Sequence, residues 1–272
     1  MTGGVAGGSF NLPLDTAYPD RMTAPALRLL LLPFAALGDE AALGVWARQL
    51  PQLLSRSLAG TVATVAPLWR DSGSGRLVRP GGALPQSVLE GEAEAAAADW
   101  VLTGAVAQSD EGLRVDLELQ PMADPGAAQA WSLPLAHGSE GAAFATLVGQ
   151  LAARLGRSEP LPEPQASGPL WPLLCDLEVE AELIAAGAAG LAKPALAWSH
   201  LQAAAASSPA PAWAGRRLAE RRLLLQRVAP ELLPAFDGAG AGAALPHKDL
   251  STDEVLLLLG ISSTATPPST HG

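Results

Sequence analysis

The sequence predicts an α/β fold with a mixed sheet, in the order β-α-β-α-β-β-β-α, followed by a smaller all-α C-terminal domain. Three observations predict it. From Leu113 to Gln120 apolar residues alternate with Arg114, Asp116, Glu118 and Gln120, which gives one buried and one wet sheet face. The short apolar run from Ala26 to Phe34 precedes an amphipathic stripe, as in a strand covered on both faces that feeds a helix. A proline-rich stretch at 157–168 then separates this pattern from one that reads helical.

The elements follow in order. Residues 1–24 carry Gly, Thr and Pro without periodicity and read as a flexible leader. After the first strand, Gly38-Asp39 breaks the chain and Asp39 is placed to cap a helix. That helix, from about Glu40 to Leu58, sets Leu43, Trp46, Ala47, Leu50, Leu53, Leu54 and Leu58 on one stripe. Pro51 inside it removes a backbone donor and is expected to kink it or mark a join. "TVATVAPLW" (Thr61 to Trp69) is β-branched and reads as a second strand. A Gly/Ser/Pro/Arg loop from Asp71 to Pro85 leads to a helix over Ser87 to Asp99, whose "EGEAEAAAAD" is expected to give an acidic first turn.

Trp100 to Ala107 and Leu113 to Gln120 then form a hairpin about Ser109-Asp110-Glu111-Gly112. "ADPG" (Ala123 to Gly126) turns the chain into a third antiparallel strand, "AQAWSLPL", and a helix ending at Gly156 closes the unit. The expected organisation is a leader at 1–24, an α/β domain at 25–156, a linker at 157–168 and a helical region at 169–235. Residues 236–272 read as a largely flexible tail with a short helix at 251–259, where Ser251 or Thr252 supplies the cap.

Composition narrows the function classes. The chain has 272 residues, enough for two modest domains. Its net charge of −10 argues against a general attraction to nucleic acid or anionic lipid. No apolar run reaches the ~20 residues that span a bilayer. Residues 22–37, behind Arg21 and Arg28, could serve as the apolar core of a signal peptide if translation began at Met22. No small-x-small cleavage pattern follows, so the chain is expected to be cytoplasmic, with export as the alternative. Cys175, the one cysteine, sits in "LWPLLCDLEVEAEL" and reads as a buried structural thiol.

The amino-terminal pattern resembles the TolB amino-terminal-like domain, kin to the FlgO and CsgG folds. The matching residues are Leu32-Pro33-Phe34, Gly38-Asp39, Val101-Leu102-x-Gly104, Arg114-Val115 with Leu119, and Ala130-Trp131. The match covers roughly Leu27 to Leu155. It lacks the family's Asn-Leu-Ser before Gly-Asp and the acidic-aromatic start of the first helix. The resemblance implies a bacterial domain that often precedes tetratricopeptide repeats in regulatory proteins, and it carries over no catalytic residue. A ~34-residue tetratricopeptide period from Glu178 puts Ile184, Ala185, Ala197, Leu201, Ala204 and Pro209 at small, apolar and terminating positions. In the next period Leu218 and Ala219 fit and Arg222 does not, so an ordinary helical hairpin stays open beside a degenerate repeat.

No Gly-rich loop ends in Gly-Lys-Ser/Thr, and there is no Gly-x-Ser-x-Gly elbow. "GGVAGGSF" neither follows a strand nor opens a helix. His137, His200, His247 and His271 are scattered without acids at ligand spacing. Asp176, Glu178, Glu180 and Glu182 point in different directions on a helix and read as a solvated face. "RRLAERRLLLQR" is the one concentrated charge cluster: Arg216, Arg217, Arg221 and Arg222 are the candidate partner-binding residues, against a wet helix face partly neutralised by Glu220. The seven tryptophans read as core anchors.

The expectation is a non-enzymatic protein-interaction or scaffold module, with no catalytic residue, cofactor or metal. Its partners would be proteins, with no specific nucleic acid, no integral membrane segment and self-association left open. The alternatives are a cell-envelope assembly component of FlgO or CsgG kind, and an unrecognised enzyme.

Overall fold

The computed structural model describes residues 27–38, 41–59, 61–157, 168–191 and 194–238. The expected leader, nearly all of the linker, the cap at Asp39 and residues 239–272 of the tail with its helix at 251–259 lie outside the described residues, while the start of that expected tail is the end of a helix in which Phe236 is buried.

The first apolar run forms two strands, β1 (Arg28–Leu31) and β2 (Ala35–Leu37). Pro33 between them has no N–H to give to a ladder, so the strand breaks there. Helix α1 (Ala41–Leu58) continues through Pro51 as one element, where a kink or a join was expected. The reason is local. Pro51 cannot donate to the Ala47 carbonyl four residues back, and the Phe34 N–H takes that acceptor at 2.8 Å. The gap in the helix ladder thereby becomes a tie between α1 and the β1–β2 break.

Strand β3 (Ala63–Val65) is much shorter than "TVATVAPLW" suggested. It lies at the sheet edge, and Pro67 withholds a donor just beyond it. Helix α2 (Gln86–Ala96) begins before its acidic residues, so its first turn carries none; the expected dipole complement is corrected accordingly. The hairpin is as expected but longer: β4 (Trp100–Ser109) and β5 (Gly112–Pro121) meet at Asp110-Glu111. Gly112 has φ +145°, and a Cβ there would stand 2.5 Å from the Leu135 carbonyl, so the close approach at this corner requires glycine. Strand β6 (Gln129–Ala136) and helix α3 (Glu140–Arg154) complete the unit.

The strand order is β3-β1-β4-β5-β6, with β2 also beside β4. The pairings of β1 with β3 and of β1 and β2 with β4 are parallel, and β4-β5-β6 are antiparallel. The sheet is therefore mixed. Leu102 and Val106 of β4, with Leu113, Val115, Leu117 and Leu119 of β5, face α1 and α3 in the main core. On the other face α2 and the segment before it supply cover: Leu30, Leu32 and Val101 pack with Leu89 and Ala93 in a smaller cluster, with Trp69 and Leu84 against it.

Beyond the linker come α4 (Trp171–Ala186), α5 (Pro194–Ala197), α6 (Ser199–Ala206), α7 (Ala212–Val228) and α8 (Leu233–Gly238). α4 packs on α1, and α6 packs on both α4 and α7. Leu173, Leu177, Trp198 and Trp213 belong to the same apolar cluster as Leu50 and Leu54 of α1, so the helical stretch shares the core of the sheet unit. Of the expected repeat positions, Ala197, Leu201 and Ala204 are buried, but Ile184 is 65% exposed and Ala185 faces outward as well.

Candidate functional site

Two features bear on function: a seam of charge beneath α4, and a groove on the open side of the sheet.

The seam overturns one expectation. The sequence places Asp176, Glu178 and Glu182 on a solvated face, yet all three are buried. Helix α4 buries residues around its whole circumference, and a helix apolar on every side has no wet face on which to place acids. Each carboxylate is instead met by an arginine from another element, as the desolvation of a buried charge demands. On the α1 side, Glu178 accepts from Arg48 Nε at 2.9 Å and from Gln49 Nε2 at 2.6 Å. Arg56 Nη2 reaches Glu180 Oε1 at 2.5 Å. From the loop after β3, Arg70 Nη1 reaches Glu182 Oε1 at 3.2 Å and Arg70 Nη2 the Ala181 carbonyl at 3.0 Å. On the α7 side, Arg217 donates to Asp176 and to Glu180 Oε2, and Arg221 Nε donates to Asp176 Oδ1 at 3.0 Å.

Electrostatics follow the geometry. Burial alone would raise the Glu180 carboxyl, but Arg217, Arg56 and Arg221 outweigh it and bring it down to about 2 from 4.5. Burial likewise acts to lower the Arg217 guanidinium, and its carboxylate neighbours override that and hold it more firmly charged. Burial pushes Glu182 up, only partly countered by Arg70. It also pushes the Cys175 thiol well up, with Glu178 and Asp176 adding to the effect. Cys175 is buried and in no disulfide, in keeping with the structural thiol expected of it.

The candidate partner-binding arginines therefore do not share one surface. Arg217 and Arg221 turn inward, 6% and 1% exposed. Arg216 lies outside near Glu220, and Arg222 pairs with Asp237 at 3.0 Å. The wet-face alternative fails for the inner pair, whereas Arg216 and Arg222 are exposed. The spacing shows why: Arg217 and Arg221 are four apart and on one side of α7, the side facing α4. A small cavity of about 240 Å³ beside the seam is lined by Leu53, Arg56, Leu177, Trp213, Arg217 and Glu220 among others, and by none of the four α4 carboxylates.

The groove, of about 580 Å³, lies on the sheet face that α2 leaves partly open. The alternation in β5 puts Asp116, Glu118 and Gln120 on this face, and register puts Ala105 opposite Asp116 and Thr103 opposite Glu118. Ala130 stands across from Glu118 on β6. Ala35 and Leu37 of β2 continue the floor, and Pro80, Ala83 and Leu84 of the loop before α2, with Gln86 at the start of α2, form one wall. Gly104 faces the core beneath it: a Cβ there would come within 2.8 Å of the Asp116 carbonyl. Asp116 is occupied, accepting from Ser132 Oγ at 2.5 Å and from Arg114 Nε at 3.1 Å. Gln120 donates to Gln86 at 3.3 Å. Glu118 makes no hydrogen bond or ion pair among the described residues. The sequence marked these β5 residues as a wet face but gave no sign that the 80–86 loop would wall it.

Of the histidines, His137 is exposed and His200 is buried with its ring edge-on to Trp171. His247, His271 and "GGVAGGSF" lie outside the described residues. Trp46, Trp198 and Trp213 are core residues; Trp100, Trp131 and Trp171 pack half-buried against the main cluster, and Trp69 against the smaller one. Among the described residues no group of three or more His, Cys, Asp or Glu is placed to hold a metal, and no helix is long and apolar enough to cross a membrane.

No family model matches the chain, and no curated protein matches it. Among solved structures it is similar to TolB from Acinetobacter baumannii, at 16% identity and a TM-score of 0.32, over 48% of this chain and 29% of that one. It is also similar to a PelC dodecamer from Paraburkholderia phytofirmans, at 16% identity and a TM-score of 0.31, over 50% of this chain and 94% of that one. The chain thus spans less than a third of the TolB structure's length.

Proposed function

We propose that this chain is a non-enzymatic protein-interaction module, a scaffold or adaptor, that receives its partner on the open side of the sheet. The observation that carries the reading is the groove itself. It joins an apolar floor to a few polar groups on one face of the sheet, the usual make-up of a recognition site. The buried charges of the seam point the same way, because they pair with one another across α1, α4 and α7 and the α4 carboxylates do not line the cavity beside them. A catalytic centre needs titratable groups converging on space for a substrate.

The finer reading is of a TolB amino-terminal-like domain carrying a short tetratricopeptide-like arm, in a bacterial regulatory setting and in the cytoplasm. The sequence resemblance and the successive packing of α4, α6 and α7 support it; the outward-facing Ile184 weighs against a regular repeat. The outer arginines Arg216 and Arg222 remain a secondary contact in this reading, and Arg217 and Arg221 serve the fold.

Affinity capture from the parent organism's extract tests it, with the full chain as bait and Ala105→Arg beside it. The expected result is a protein retained by the wild type in a fixed ratio and lost by the variant, in which a long cation fills the groove. Equal retention by both baits, or no retained protein, overturns the reading.

A further inference from the structure

The groove has a definite chemical preference, and this inference rests on the reading of that groove as the partner site. Its floor is made of small side chains, Ala35, Thr103, Ala105 and Ala130, with Leu37, Leu84 and Leu89 rising around them. No lysine or arginine lines it, and two carboxylates do. Asp116 already has Ser132 and Arg114 as partners, whereas Glu118 has none among the described residues. A carboxylate held beside apolar surface gains from a cation brought to it, because the surroundings shield the pair from water on one side. The chain's net charge of −10 adds a field that draws cationic segments and repels acidic ones.

Shape selects the occupant further. The floor crosses β2, β4, β5 and β6, about 14 Å at the usual strand spacing. That is room for about four or five extended residues at ~3.3 Å each. Addition of a strand at the β6 edge is a poorer alternative, since Pro134 interrupts the donors of that strand. We propose that the groove binds an extended peptide segment in which a lysine or arginine, flanked by small apolar side chains, pairs with Glu118.

The test is selection from a random heptapeptide library displayed on phage, using the full chain as target and the Ala105→Arg and Glu118→Lys variants in parallel. Circular dichroism and the thermal midpoint establish that each variant is folded; Glu118 is exposed, so its replacement leaves the core untouched. The expected outcome is enrichment of peptides with one Lys or Arg between apolar residues, absent with either variant. A selected peptide should bind Glu118→Gln about fivefold more weakly, near the upper range for an exposed ion pair. Peptides that depend on Ala105 but carry no cation overturn the charge preference while leaving the groove as the partner site. The same peptides on wild type and Ala105→Arg overturn the groove itself. No enrichment on the wild type overturns the proposal.

Discussion

The Phe34 N–H donates to the Ala47 carbonyl at 2.8 Å, the acceptor that Pro51 leaves vacant inside α1. Helix and sheet are thereby joined through the backbone at the end of the groove, where Pro33 and Ala35 begin its floor.

A proline inside a helix ordinarily costs ~3 kcal/mol relative to alanine. Here Pro51→Ala is expected to gain less than about 1 kcal/mol, because the new amide would compete with Phe34 for one carbonyl. Urea unfolding of the two proteins measures this. A gain near 3 kcal/mol would mean that the Phe34 bond contributes little.

The seam beneath α4 makes a stronger demand. Asp176 accepts from two buried guanidiniums, Arg217 and Arg221. Asp176→Ala is expected to destabilise the chain by about 3–5 kcal/mol, the usual cost of leaving buried charge without its partner. Replacing all of Asp176, Arg217 and Arg221 with apolar residues should cost less than the single change, since it removes the buried guanidiniums together with their acceptor and Glu180 keeps Arg56. Equilibrium unfolding of the single and triple variants decides between a structural tie and a dispensable contact.

Acid should loosen the same seam. The Glu180 carboxyl is lowered in the folded chain to about 2 from 4.5. The folded state therefore favours the ionised form, and the stability this provides is present above pH 4.5 and lost as pH falls toward 2. The contribution is on the order of 3 kcal/mol. Glu182 runs the opposite way: its raised value favours the protonated form, so its share is present at low pH and lost as pH rises. Glu180→Gln should flatten the acid limb of the stability profile, as read from urea midpoints between pH 7 and pH 3. An unchanged limb would show that other carboxylates govern acid unfolding.

The hairpin could be read from sequence because a period of two is a local signal: Leu113, Val115, Leu117 and Leu119 declare the buried face on their own. The break at Pro33 and the shortness of β3 depend on which strands find partners, and neighbouring residues do not encode that. The burial of the α4 acids is not legible in their spacing, because spacing along one helix says nothing of what approaches from other helices. One sign was there to read: Leu173, Leu174, Leu177, Val179 and Leu183 surround the helix and leave it no wet side, so its acids had to find arginines. The groove was half legible, since alternation placed Glu118 on a wet face, but its wall depends on how the Asp71 to Pro85 loop folds back.

The most direct measurement is hydrogen–deuterium exchange on the full chain, free and bound to the protein it captures. Slower exchange is expected across Pro33 to Leu37, the 80–89 wall, Thr103 to Ala105 and Asp116 to Gln120, with α7 from Arg216 to Arg227 unchanged. Protection confined to α7, with the sheet residues exchanging as in the free chain, would contradict the placement of the partner and return the role to the outer arginines.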